Sequence, residues 1–106
     1  MAFNDEMIQA VWEKGRGTSE RDSNEWRQDQ CGAWLNREQY ENAESEYGWR
    51  ILNVVADGKD ELDNLQPFHC QNSFDIANSK AHCCVAADRS GLTPTQSVDQ
   101  PRNTNV

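Results

Sequence analysis

Trp49 to Lys80 reads WRILNVVADGKDELDNLQPFHCQNSFDIANSK, and the reading of this stretch decides the fold. Trp49, Ile51, Leu52, Val54 and Val55 form an apolar run with strand character, stopped at the turn dipeptide Asp57-Gly58. A polar loop follows. Asp63 and Asn64, both good N-cap residue types, then precede Leu65, and Pro67 falls where a first helical turn tolerates a missing N–H. The pattern predicts strand, turn, loop and a capped helix starting near Leu65.

Outward from this unit, Asn4 to Lys14 predicts a helix. Asn4 or Asp5 caps it, acids fill its first turn, and Met7, Ile8, Val11 and Trp12 share one apolar face that core packing explains better than a partner groove. Gly15 and Gly17 end it. Thr18 to Gln30 reads as a charged loop anchored by Trp26. Its Arg16, Arg21 and Arg27 neighbourhood could meet phosphate, but Glu20, Asp22, Glu25 and Asp29 cancel that charge along the sequence. Cys31 to Leu35 fits a strand, and Arg37 to Glu46 a loop or short exposed helix. Asn78 and Ser79 read as a helix end, and His82 to Ala87 as a last edge strand. From residue 90 on, Gly, Pro, Ser, Thr, Asn and Gln leave little to bury, so residues 90–106 are expected to form a disordered tail behind a domain of residues 1–89.

The central stretch resembles the core of the HNH endonuclease family, the ββα-metal nucleases. Trp49-Arg50-Ile51-Leu52-Asn53-Val54 stands where relatives read W-E-I-D-H-I, and Gly58 to His69 follows the G-G-x-D-x-L-x-N-L-Q-P-L-x-W pattern almost in step. Val11 to Gly15, Trp26 to Ala33 and Tyr47-Gly48-Trp49 extend the similarity over roughly residues 8 to 80. The resemblance implies a small α+β domain with a ββα unit spanning Trp49 to about Ala77. It also implies a divalent metal such as Mg or Mn, an acidic or His ligand, and a His general base at the adjacent pair.

This chain carries Leu52 and Asn53 at that pair. Leucine offers no oxygen to a hard cation, and an amide has no useful pKa with which to take a proton from water. Asn64 holds the position that orients the base. Asn72 and Ser73 stand where two Asn are expected, and Lys80 arrives only after extra residues. His69, the other imidazole near the motif, sits off the adjacent pair and reads as a structural residue. Asp57, Asp60, Glu61, Asp63 and Asp75 could form an opportunistic cation site, although their order matches no EF-hand loop. The expectation is a catalytically inactive HNH-like binding module without cofactor; the alternatives are a metal-dependent nuclease with a non-standard site and a stand-alone structural domain.

Charge selects among partners. Ten Lys and Arg against eighteen Asp and Glu give a net charge of −8 over 106 residues, so phosphate neutralisation, the main source of affinity for DNA, is poorly supplied. A protein partner is favoured over nucleic acid, facing an acidic surface that includes Glu38, Glu41, Glu44 and Glu46. No apolar run suits a membrane span and no leader pattern is seen, so a cytoplasmic, non-membrane protein is expected. Cys31, Cys70, Cys83 and Cys84 form no C-x-x-C pair. Cys70–Cys83 or Cys31–Cys84 bridges are conceivable, but free thiols are expected in a reducing compartment.

Overall fold

The computed structural model describes residues 3–19, 21–88 and 101–106. Among the described residues it is a small α+β fold of one α-helix and eight short strands. The helix α1 (Asp5–Trp12) starts as its sequence predicts, with Asn4 accepting from the Met7 N–H at 2.8 Å and Asp5 and Glu6 in the first turn. The strands pair as four separate two-stranded antiparallel ladders: β1 (Trp26–Gln28) with β2 (Trp34–Asn36), β3 (Trp49–Asn53) with β4 (Leu65–His69), β5 (Ser73–Asp75) with β6 (Lys80–His82), and β7 (Val85–Ala87) with β8 (Asn103–Asn105). Among the described residues, no helix is long and apolar enough to cross a membrane.

The core sits where α1 meets the β3–β4 hairpin. Ile8, Val11 and Trp12 from the helix pack with Leu35, Trp49 and Leu65. The rings of Trp12 and Trp49 lie 5.2 Å apart, and Tyr40 flanks Trp49 at 4.9 Å. Both of these indoles find an acceptor, Trp12 Nε1 at the Ser23 carbonyl and Trp49 Nε1 at that of Arg37. Gly48 enters β3 against the Asn42 carbonyl, where an added Cβ would lie 1.9 Å from the oxygen, so no other residue fits there.

The predicted helix at Leu65 is replaced by strand β4. Asp63 and Asn64 belong to a single 3-10 turn, Leu62–Asn64, after which the chain extends opposite β3 with Trp49 facing His69 and Asn53 facing Leu65. The Val54 N–H bonds to the Asn64 carbonyl and the Cys70 N–H to that of Gly48, which fixes the alternation of the ladder between them. Pro67, opposite Ile51, thereby falls at a non-hydrogen-bonded pair and its missing N–H faces away from β3. A proline that reads as helix N1 is equally at home here. The apolar β3 gains a partner that a helix would not have supplied.

The α of the expected ββα unit is also absent among the described residues. The segment after the hairpin folds as β5–β6, and the residues between Ser73 and Lys80 make its strand and turn. Asp75 accepts from the Asn78 side chain at 2.7 Å, and Ser79 takes a positive φ of 55°. Asn78 and Ser79 therefore close a turn rather than a helix. The expected disordered tail is corrected at its end: residues 89–100 lie outside the described residues, but Pro101 is buried and β8 pairs with β7. Asn103 secures this return, receiving the Trp34 N–H at Oδ1 and donating from Nδ2 to the carbonyls of Trp34 and Glu46.

The cysteines depart from expectation as well. Cys31 and Cys83 form a disulfide, while Cys70 is a half-buried and Cys84 an exposed free thiol. Compartment reasoning favoured thiols; local geometry brings Cys31 and Cys83 together with Cα atoms 5.6 Å apart.

Candidate functional site

The motif positions separate into two polar clusters. The first closes the loop between β3 and β4. Asn53 at the end of β3 donates from Nδ2 to the Gly58 and Lys59 carbonyls at 2.8 and 3.0 Å and to Asp60 Oδ1 at 3.3 Å, while its Oδ1 accepts the Val55 N–H. Asn64 donates to the same Lys59 carbonyl at 2.9 Å. The two amides clamp the loop from both ends, and Asp57 turns it with a φ of 55°. Leu52 is half-buried opposite Gln66.

The second cluster is built around Asn72, which is fully buried. Its Nδ2 donates to Asp29 Oδ2 and to the Val85 carbonyl, and its Oδ1 accepts the backbone N–H groups of Cys84 and Val85, all within 3.0 Å. Asp29, 4% exposed, accepts four hydrogen bonds: from Cys31 and Ala33 N–H at Oδ1, and from His69 N–H and Asn72 at Oδ2. Arg50 donates to the Asn72 carbonyl. This hub joins the turn before β2, the end of β4 and the start of β7, and it sets Cys31 beside Cys83. His69 is tied in the same region, with Nδ1 accepting the Gln71 N–H and Nε2 therefore donating to the Glu46 carbonyl at 2.7 Å. Both ring nitrogens are committed.

The structure thus brings Asn53 together with Asn64, and Asn72 together with His69. Ser73 begins β5 opposite His82, and Lys80 begins β6 opposite Asp75, so the hairpin does not pair Ser73 with Lys80. Asp29 was not singled out by sequence reading; its signal is an acid inside Gln28-Asp29-Gln30-Cys31-Gly32, a turn type in which Asp accepts nearby N–H groups. Glu46, counted from sequence in an acidic surface with Glu38, Glu41 and Glu44, holds the chain end through Arg102 at 3.0 Å and the Asn103 N–H at 2.7 Å.

A divalent cation does not fit the adjacent pair. Leu52 supplies no ligand atom, the Asn53 oxygen already accepts a backbone N–H, and its nitrogen is a donor. Among the described residues, no group of three or more His, Cys, Asp or Glu is placed to hold a metal ion. The chain matches no protein-family profile, no curated protein and no solved structure.

Proposed function

We propose that the chain is a catalytically inactive derivative of the HNH scaffold that works as an interaction module for a protein partner. The observation carrying this reading is Asn53. At the position where the resemblance implies a general base, its amide is spent on closing the β3–β4 loop, beside a leucine that cannot ligate metal. A group that both lacks a titratable proton site and is saturated by the fold has no capacity left to activate water.

The choice of a protein partner is supported by charge and by the loop itself. Val55 and Leu62, each about two-fifths exposed, share the β3–β4 connection with the exposed Asp57, Asp60, Glu61 and Asp63. Apolar contacts ringed by carboxylates suit a basic protein surface with an apolar recess, and the net charge of −8 opposes approach to duplex DNA. A cytoplasmic setting is part of the same proposal, and there the Cys31–Cys83 pair would be held as two neighbouring thiols.

Plasmid nicking in Mg2+, Mn2+, Zn2+ and Ni2+ tests it. The expected result is intact supercoiled plasmid with every metal. Metal-dependent nicking that disappears in Asn53→Ala would establish a non-standard nuclease instead.

A further inference from the structure

One concavity lies outside the Asn53 clamp. A cavity of about 140 Å3 is lined by Lys14 and Arg16 just after α1, Gln28 at the end of β1, Asp29 and Gln30 beyond it, and Gln66 on β4. It is larger than a single water needs and well below the roughly 300–1,000 Å3 of pockets for drug-sized ligands. Its size suits a small group.

The lining fixes the sign of that group. Among the described residues Asp29 is its only carboxylate, and both Asp29 oxygens already accept from four N–H donors within the protein. Arg16 donates from one terminal nitrogen to Gln28 Oε1 at 2.8 Å, and among the described residues nothing else takes its Nε or its other terminal nitrogen. Lys14 spends two of its three protons on the carbonyls of Leu62 and Leu65, and the third remains. Gln28 is 4% exposed; its oxygen is taken by Arg16, which orients its NH2 as a donor at the cavity wall. In a chain of net charge −8, two cations and three amides therefore converge on one concavity. Sequence reading cancelled Arg16 against Asp29, but the fold turns that carboxylate inward and leaves the guanidinium outside.

We propose that this cavity is a binding site for a phosphoryl oxyanion, either free phosphate or the terminal group of a phosphomonoester. The donors arrive from three chain segments rather than from one planar fork, which fits a tetrahedral anion better than a carboxylate. Gln66 faces Leu52 across the ladder, so the site adjoins the motif pair, yet it depends on neither Leu52 nor Asn53. Its failure and that of the inactive-scaffold reading are thus separable.

The test is an amide NMR titration of the full chain with inorganic phosphate, against chloride at matched ionic strength. Saturable shifts confined to residues 14–16, 28–30 and the Gln28 and Gln66 side-chain amides are expected. Arg16→Ala should weaken binding about tenfold or more, the scale of a lost charge-assisted hydrogen bond, while Lys80→Ala leaves it unchanged. Well-dispersed spectra of both variants show that the fold is retained. A parallel titration with glycerol phosphate distinguishes the sources: tighter binding assigns a phosphomonoester, weaker binding the free ion, and either upholds the site. Shifts spread over all cations, undiminished binding in Arg16→Ala, or equal binding of acetate would overturn it.

Discussion

Asn72 shows how much one amide can organise. It satisfies four partners from two other segments, and each partner is backbone or the buried Asp29. Removing it leaves donors and acceptors orphaned in a dry interior, where each costs on the order of 1–3 kcal/mol. Asn72→Ala is therefore expected to lower unfolding stability by about 3 kcal/mol or more, read from urea melts. Ser73→Ala, one residue along, should change it by no more than about 0.5 kcal/mol. The two free thiols provide a second residue-level prediction. Burial pushes the Cys70 thiol up, with Arg50 opposing and Glu41 adding to the shift. At pH 8 Cys84 should react with iodoacetamide well before Cys70, as peptide mass spectrometry of briefly labelled protein would show. Because the folded-state value of Cys70 is raised, its contribution to stability is complete below the unfolded thiol range near about pH 8.5 and is lost as pH rises through the folded value.

At the scale of elements, legibility follows the length and cleanness of the pattern. The helix α1 was readable because cap, acidic first turn and apolar face agree. The strand β3 was readable from its apolar run. The strand β4 was not, because Asp63, Asn64 and Pro67 carry helix-start chemistry that a 3-10 turn and a non-hydrogen-bonded strand position satisfy equally well. The β5–β6 hairpin turns on Asp75 and Asn78, whose side-chain bonds favour a turn over a helix end. The hairpin loop yields a prediction of its own. Asn53→Ala should leave the core intact but raise hydrogen exchange through residues 55–60, since only the loop loses its clamp.

For the molecule as a whole, what the sequence hides is long-range. The Asp29–Asn72 bond spans 43 residues, the disulfide 52, and the Trp34–Asn103 bonds 69. No local pattern encodes such pairs, so Asn72 could be singled out from sequence while its bond to Asp29 could not. The bridge should contribute about 4 kcal/mol on chain-entropy grounds for a loop of this size. Melts with and without reductant are expected to differ by roughly 2–4 kcal/mol, with Cys31→Ser resembling the reduced protein. The bridge also bears on compartment, because in a reducing cytosol the same pair stays as thiols. Asn103→Ala, which unties the chain end from β2 and from Glu46, should destabilise by about 1–3 kcal/mol in the same assay.

The central claim is that the polar groups at the motif positions are committed to the fold and free for no metal. The most direct measurement is an NMR titration of the side-chain amides of Asn53, Asn64 and Asn72 with Mg2+ and paramagnetic Mn2+. The account predicts unshifted Mg2+ spectra and no Mn2+ broadening focused on Asn53 and Asn64. Saturable, localised effects at Asn53 and Asn64 would contradict it and assign the hairpin end as a metal centre.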